Sequence, residues 1–94
     1  MADWMRKQIR VVGHVQGVGF RYFTKQQANH YGIVGSVRNL PNGDVEIDAA
    51  GPIEDLRLFV EGLQKGPSGA RVQEIFEQVL PLQNLSEVFY IQHF

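Results

Sequence analysis

Apolar and polar positions alternate with a period of two in Gln8–His14, with Ile9 and Val11 on one face and Arg10 and Val12 on the other. The same period recurs in Val34–Leu40, where Val37 and Asn39 share a face. It is clearest in Asp44–Ala50, where Val45, Ile47 and Ala49 point inward and Asp44, Glu46 and Asp48 outward. Arg71–Leu80 predicts a fourth strand with a bulge, because its alternation slips near Ile75 and Phe76. Val88–Phe94 predicts a short last strand with Phe89 and Ile91 on one face. Two stretches follow the helical period instead. In Tyr22–Tyr31, Phe20, Thr24, Ala28 and Tyr31 form a stripe with Phe23 beside it, and Gly32 is a stop signal. After Gly51, Pro52 opens a second helix in which Leu56, Phe59, Val60 and Leu63 recur at i, i+3, i+4 and i+7. Gly66-Pro67-Ser68-Gly69 ends that helix, and Pro81–Glu87 reads as a loop. Met1–Arg6 is expected to be a loose tail, with Trp4 capping an edge of the core.

The resulting order is β-α-β-β-α-β with one extra terminal strand: an α+β, ferredoxin-like sandwich with a mainly antiparallel sheet and two helices on one face. In that arrangement the first two strands run parallel with the third between them, so their carboxyl ends share one edge about 10 Å apart. The Pro41-Asn42-Gly43 turn closes the hairpin between the second and third strands. Residues 1–94 are expected to form one domain.

Composition narrows the function classes more than it names one. Nine basic and ten acidic residues leave a net charge of −1, which supplies no general pull toward nucleic acid or a membrane surface. The chain contains no cysteine, so a disulfide framework, a thiol nucleophile and thiolate metal ligation are excluded. The N-terminal stretch has no apolar signal core and no stretch has membrane-spanning length, which gives cytoplasmic location as the default expectation.

The candidate chemistry lies between the first strand and the first helix. In Gly13-His14-Val15-Gln16-Gly17-Val18-Gly19-Phe20-Arg21, three glycines in seven residues let the backbone turn its N–H groups toward one point. The helix that follows adds free N–H groups and the positive end of its dipole. The segment is neither a Walker A loop, since no Gly-Lys-Ser/Thr follows, nor a dinucleotide fingerprint, since Phe20 and Arg21 stand where another glycine belongs. Glycines at such a junction also serve plain tight turning. Arg21 favours anion binding, because a cation in a first helical turn opposes the dipole unless an anion joins it. Asn39, at the corresponding end of the second strand, faces this loop across the third. It is either a turn asparagine before Pro-Asn-Gly or a holder of water beside the anion.

These residues resemble the acylphosphatase family. Residues 13–21 fit its G-x-V-Q-G-V-x-F-R signature at every fixed position. Gly35-Ser36-Val37-Arg38-Asn39, with Gly43, Val45 and Glu46, resembles its strand and hairpin motif, and Phe89-Tyr90-Ile91 its closing strand. The resemblance implies hydrolysis of small-molecule acyl phosphates to carboxylate and inorganic phosphate, without metal or cofactor; separately, nothing in the sequence demands more than a monomer. It implies that Arg21 and the backbone amides of Val15, Gln16, Gly17, Val18, Gly19 and Phe20 bind phosphate, and that Asn39 positions water. Ser36 departs from the aromatic residue usual after that glycine and is expected to thin the packing near Asn39. His14 stands where Lys or Arg is common and is expected to be an exposed strand end.

Two other functions bear comparison. RNA-binding domains share this topology, but the strands lack their stacking aromatics and the basic balance. A non-catalytic domain of the same fold that binds phosphate or carbamoyl phosphate needs Arg21 but not Asn39, so the presence of both favours an enzyme. His14, His30 and His93 lack metal-site spacing and are expected on the surface or in turns. Lys65, Arg71 and Arg57 are expected to be solvated.

Overall fold

A computed structural model describes residues 3–93. The chain runs β1 (Trp4–His14), α1 (Phe20–Tyr31), β2 (Val34–Asn39), β3 (Val45–Pro52), α2 (Ile53–Lys65), β4 (Arg71–Leu80) and β5 (Phe89–Gln92). The five strands form one sheet in the order β4-β1-β3-β2-β5. Neighbours are antiparallel except β2 and β5, which run parallel. Because β1 and β2 both pair antiparallel with β3, they are parallel to each other, and their carboxyl ends meet at one edge as the topology predicted.

Helical periodicity buries one face of each helix. Leu56, Phe59, Val60 and Leu63 of α2 are all buried, and full burial of such side chains contributes about 1.5–3 kcal/mol each. Phe20, Thr24 and Ala28 form the buried stripe of α1, and Gly32 ends the helix at φ 68°. Both helices pack with the inward strand residues Ile9, Val11, Val37, Val45, Ile47 and Ala49 in one core. The other face of the sheet carries a charged lattice. Arg6 pairs with Asp48 at 2.7 Å and Arg38 with Glu46 at 2.8 Å. The hydrogen bond to Asp48 holds the Arg6 guanidinium above its usual basicity. Arg6 also donates to the carbonyls of Pro81 and Gln83, fastening the 81–88 connection as it passes from β4 toward β5.

Several boundaries differ from the sequence reading. Residues 4–6 are not a loose tail: they pair with β3, from Trp4 opposite Pro52 onward, and Arg6 pairs with Leu80 of β4. Trp4 is 41 % exposed, so it shields little of the core. Met1 and Ala2 of that expected tail lie outside the described residues, as does Phe94 of the expected last strand. Helix α1 starts at Phe20, two residues early, because Gly19 turns the chain at φ 77° and its carbonyl already accepts the Phe23 N–H at 3.0 Å.

Asp44 is not an outward strand residue. It precedes β3 and is 7 % exposed, with Arg10 at 2.8 Å and the Asn42 amide at 3.1 Å on its carboxylate. The bulge in β4 sits at Gln73, where the pairing steps from Val12–Glu74 to Gly13–Val72. Only glycine fits opposite that step, since a Cβ on Gly13 would lie 2.1 Å from the Arg71 carbonyl oxygen. The slip near Phe76 is instead an exposed ring with the Arg10 guanidinium 4.6 Å above it.

Candidate active site

The loop after β1 is pinned at both ends by apolar side chains and turned by glycines between them. Val15 and Phe20 are each 1 % exposed in the core, and Val18 packs against it. Gly17 and Gly19 both adopt left-handed φ, 76° and 77°, which a side chain would strain. Gln16 fastens the loop sideways: its amide donates to the carbonyls of Leu40 at 2.8 Å and Asp44 at 2.9 Å. The Gly-rich loop is thereby held to the β2–β3 hairpin, whose turn is closed by Leu40 N–H to Asp44 and Gly43 N–H to Leu40. Asn39, the residue before Leu40, is thus held in register with the loop.

A cavity of about 180 Å³ opens between these elements. Val15, Gly17, Gly19, Phe20, Arg21 and Asn39 line it, together with Tyr22, Ile91 and His93. Of the residues whose backbone amides were expected at the site, Gln16 and Val18 are not among its lining residues, and their side chains reach to the hairpin and to the core.

Arg21 occupies the second position of α1. The first turn contains no acidic residue, and Gly19 supplies no side-chain cap. Arg6, Arg10, Arg38 and Arg57 all have carboxylate partners, whereas Arg21 and Arg71 have none among the described residues, and of these two Arg21 alone lines the cavity. Its Nη1 lies 3.4 Å from Nδ1 of His93. Free helix N–H groups, the dipole and an uncompensated guanidinium converge on one cavity, which suits a multiply charged anion.

Asn39 forms the opposite wall. It ends β2 on the same face as Val37, opposite Val45. Its Oδ1 is buried and has no hydrogen-bond partner among the described residues. A buried amide oxygen left unpaired costs about 1–3 kcal/mol, so this acceptor suits a donor brought in by ligand or solvent.

Two of the sequence expectations change. Ser36 does not touch the surroundings of Asn39. It lies on the opposite face of the sheet, where it lines a separate cavity of about 70 Å³ with Arg6, Asp48 and Tyr90. His93 is exposed, as expected, but it also lines the site and contacts Arg21, which sequence spacing did not reveal. The one available signal was its place two residues after Ile91 on the same strand face. His14 is an exposed strand end as expected, and among the described residues no cluster of three or more His, Cys, Asp or Glu side chains has metal-binding geometry.

Fold and cavity together define a ferredoxin-like α/β sandwich with a cavity lined by a glycine loop, a helix start and a strand-end asparagine. Comparison with known proteins gives the family. The acylphosphatase family model matches residues 7–91. An acylphosphatase from Vibrio parahaemolyticus is 52% identical over 65 residues, 69% of this chain and 72% of that protein. An acylphosphatase from Bifidobacterium longum is 43% identical over 81 residues, 86% of this chain and 84% of that protein. The crystal structure of acylphosphatase from Bacillus subtilis superposes with a TM-score of 0.90 at 37% identity, covering 94% of this chain and 98% of that one. The chain belongs to the acylphosphatase family.

Proposed function

We propose that the cavity between the 15–20 loop and Asn39 is where this acylphosphatase hydrolyses acyl phosphates to a carboxylate and inorganic phosphate, with Arg21 and Asn39 as its catalytic residues. The loop amides and the Arg21 guanidinium hold the equatorial phosphoryl oxygens and stabilise the charge on them as the bond to the leaving carboxylate breaks. A carboxylate leaves readily, so no general acid is assigned. Asn39 Oδ1 accepts a hydrogen bond from water and aligns its lone pair with phosphorus, in line with the departing oxygen, and the attacking water passes its proton to an oxygen of the phosphate formed.

The observation that carries the reading is the buried, unpartnered Oδ1 of Asn39 in a cavity that also holds Arg21. A module that only bound phosphate would have no use for that acceptor. The test is turnover of benzoyl phosphate with EDTA present. The wild type is expected to turn it over. Asn39→Ala is expected to lower kcat by roughly 10²–10³-fold, as for loss of one preorganised group, while inorganic phosphate still inhibits. A folded Asn39→Ala enzyme of full activity would remove the assigned role.

A further inference from the structure

The phosphoryl group accounts for part of the lining of this cavity and not for all of it. Loop amides, Arg21 and Asn39 are committed to the phosphoryl oxygens and the attacking water. Tyr22, Ile91 and His93 complete the lining and contribute an aromatic ring, an aliphatic side chain and an imidazole. Asn39 Oδ1 is buried, so a water bound to it lies deep. In-line displacement then sends the leaving oxygen, and the acyl group attached to it, outward toward the mouth. Tyr22 is 62 % exposed and His93 is exposed, so both stand at the opening of the cavity, as do Gly17 and Gly19 of the loop.

Charge narrows what fits there. Among the described residues lining the cavity, Arg21 is the one arginine, and no lysine or acid accompanies it. Lys25, one turn along α1, does not line the cavity. An acyl group with a second anionic centre therefore finds no arginine or lysine to meet it beyond the one already bound to phosphate. A flat or branched uncharged acyl group finds the Tyr22 ring and the Ile91 side chain.

We propose that Tyr22, supported by Ile91 and His93, is a specificity-determining residue that selects uncharged, preferentially aromatic acyl groups over acyl groups with a second negative charge. This rests on the proposed hydrolysis at the same cavity. The experiment compares kcat/KM for benzoyl phosphate, 4-carboxybenzoyl phosphate and acetyl phosphate, in the wild type and in Tyr22→Ala and Tyr22→Phe. The wild type is expected to favour benzoyl over 4-carboxybenzoyl phosphate by about fivefold or more. Tyr22→Ala is expected to lower the benzoyl-to-acetyl ratio about three- to tenfold, and Tyr22→Phe to retain it, since the ring and not the hydroxyl makes the contact. Inhibition by inorganic phosphate is expected to stay within about twofold, because the phosphoryl end is intact. Equal use of the two benzoyl substrates, or an unchanged ratio in Tyr22→Ala, overturns the specificity assignment and leaves the hydrolase standing. No turnover of any of the three by the wild type overturns both.

Discussion

The two helices of this protein begin in opposite electrostatic conditions. Helix α2 starts after Pro52 with Glu54 and Asp55 in its first turn, and Arg57 bridges Glu54 and Glu61 along its exposed side. Those charges complement the positive end of the dipole from within the chain. Helix α1 starts after a left-handed Gly19, has no acid in its first turn and places Arg21 there. Neither helix has a side-chain N-cap, so the two starts differ in first-turn charge and in the backbone of the capping residue, left-handed at Gly19 and extended at Pro52. A helix start that supplies its own anion serves the fold. One that adds a cation to the dipole is expected to destabilise the empty protein and to favour an external anion.

The sharpest way to break that comparison is to remove the cation. Arg21→Ala is expected to lower kcat/KM on benzoyl phosphate by roughly 10³-fold or more, and to abolish the rise in Tm that inorganic phosphate gives the wild type. A variant that kept both would make the α1 start no more functional than that of α2.

The same site viewed as a stability defect gives a smaller effect of opposite sign. In phosphate-free buffer Arg21→Gln is expected to raise stability by about 0.5 kcal/mol, roughly 2–4 °C in Tm, because a cation no longer faces the dipole. Saturating phosphate is expected to reverse the order, with the wild type melting higher. Thermal melts with and without phosphate measure both, and a lower Tm for the variant in phosphate-free buffer would contradict the account.

The smallest change belongs to α2. Its Glu54 carboxyl is held below the usual carboxylate range by the hydrogen bond from Arg57, aided by that residue's charge. A carboxyl lowered on folding stabilises the protein above its unfolded-state pKa, and that stabilisation is lost as the pH falls through the lowered folded value. Glu54→Gln is therefore expected to lower Tm by no more than about 2 °C at pH 7. The loss should shrink in 0.5 M salt and in acid, with benzoyl phosphate turnover unchanged. A loss that persisted in high salt would assign Glu54 a packing role instead.

These two helix starts were legible in the sequence because they depend on neighbours within one turn. Glycine at 17 and 19, arginine at 21 and acids at 54 and 55 act over a few residues. The helical stripes could be read for the same reason, and Leu56, Phe59, Val60 and Leu63 all proved buried. The charged face of the sheet was harder to read. Asp44 alternates with Val45 like any outward strand residue, yet Arg10, distant in sequence, compensates its charge and allows burial. Gln73 gave no sign of the bulge, since its position follows from the close approach of Gly13 to Arg71 across the strand pair.

Local commitments were already written in the chain: the order of elements, the left-handed turns of the loop, the cation at the start of α1 and the asparagine that ends β2. Each is decided by backbone sterics or by charges a few residues apart, which any segment takes with it wherever it packs. Tertiary structure alone decided that Trp4–Arg6 is strand and that β5 runs parallel beside β2. That last pairing brings Ile91 and His93 to the mouth of the cavity. The physical reason is that strand partners are chosen by hydrogen bonds and burial between residues far apart in the chain. A short polar segment such as Gln92-His93 contains no local term that distinguishes a site wall from a solvated end.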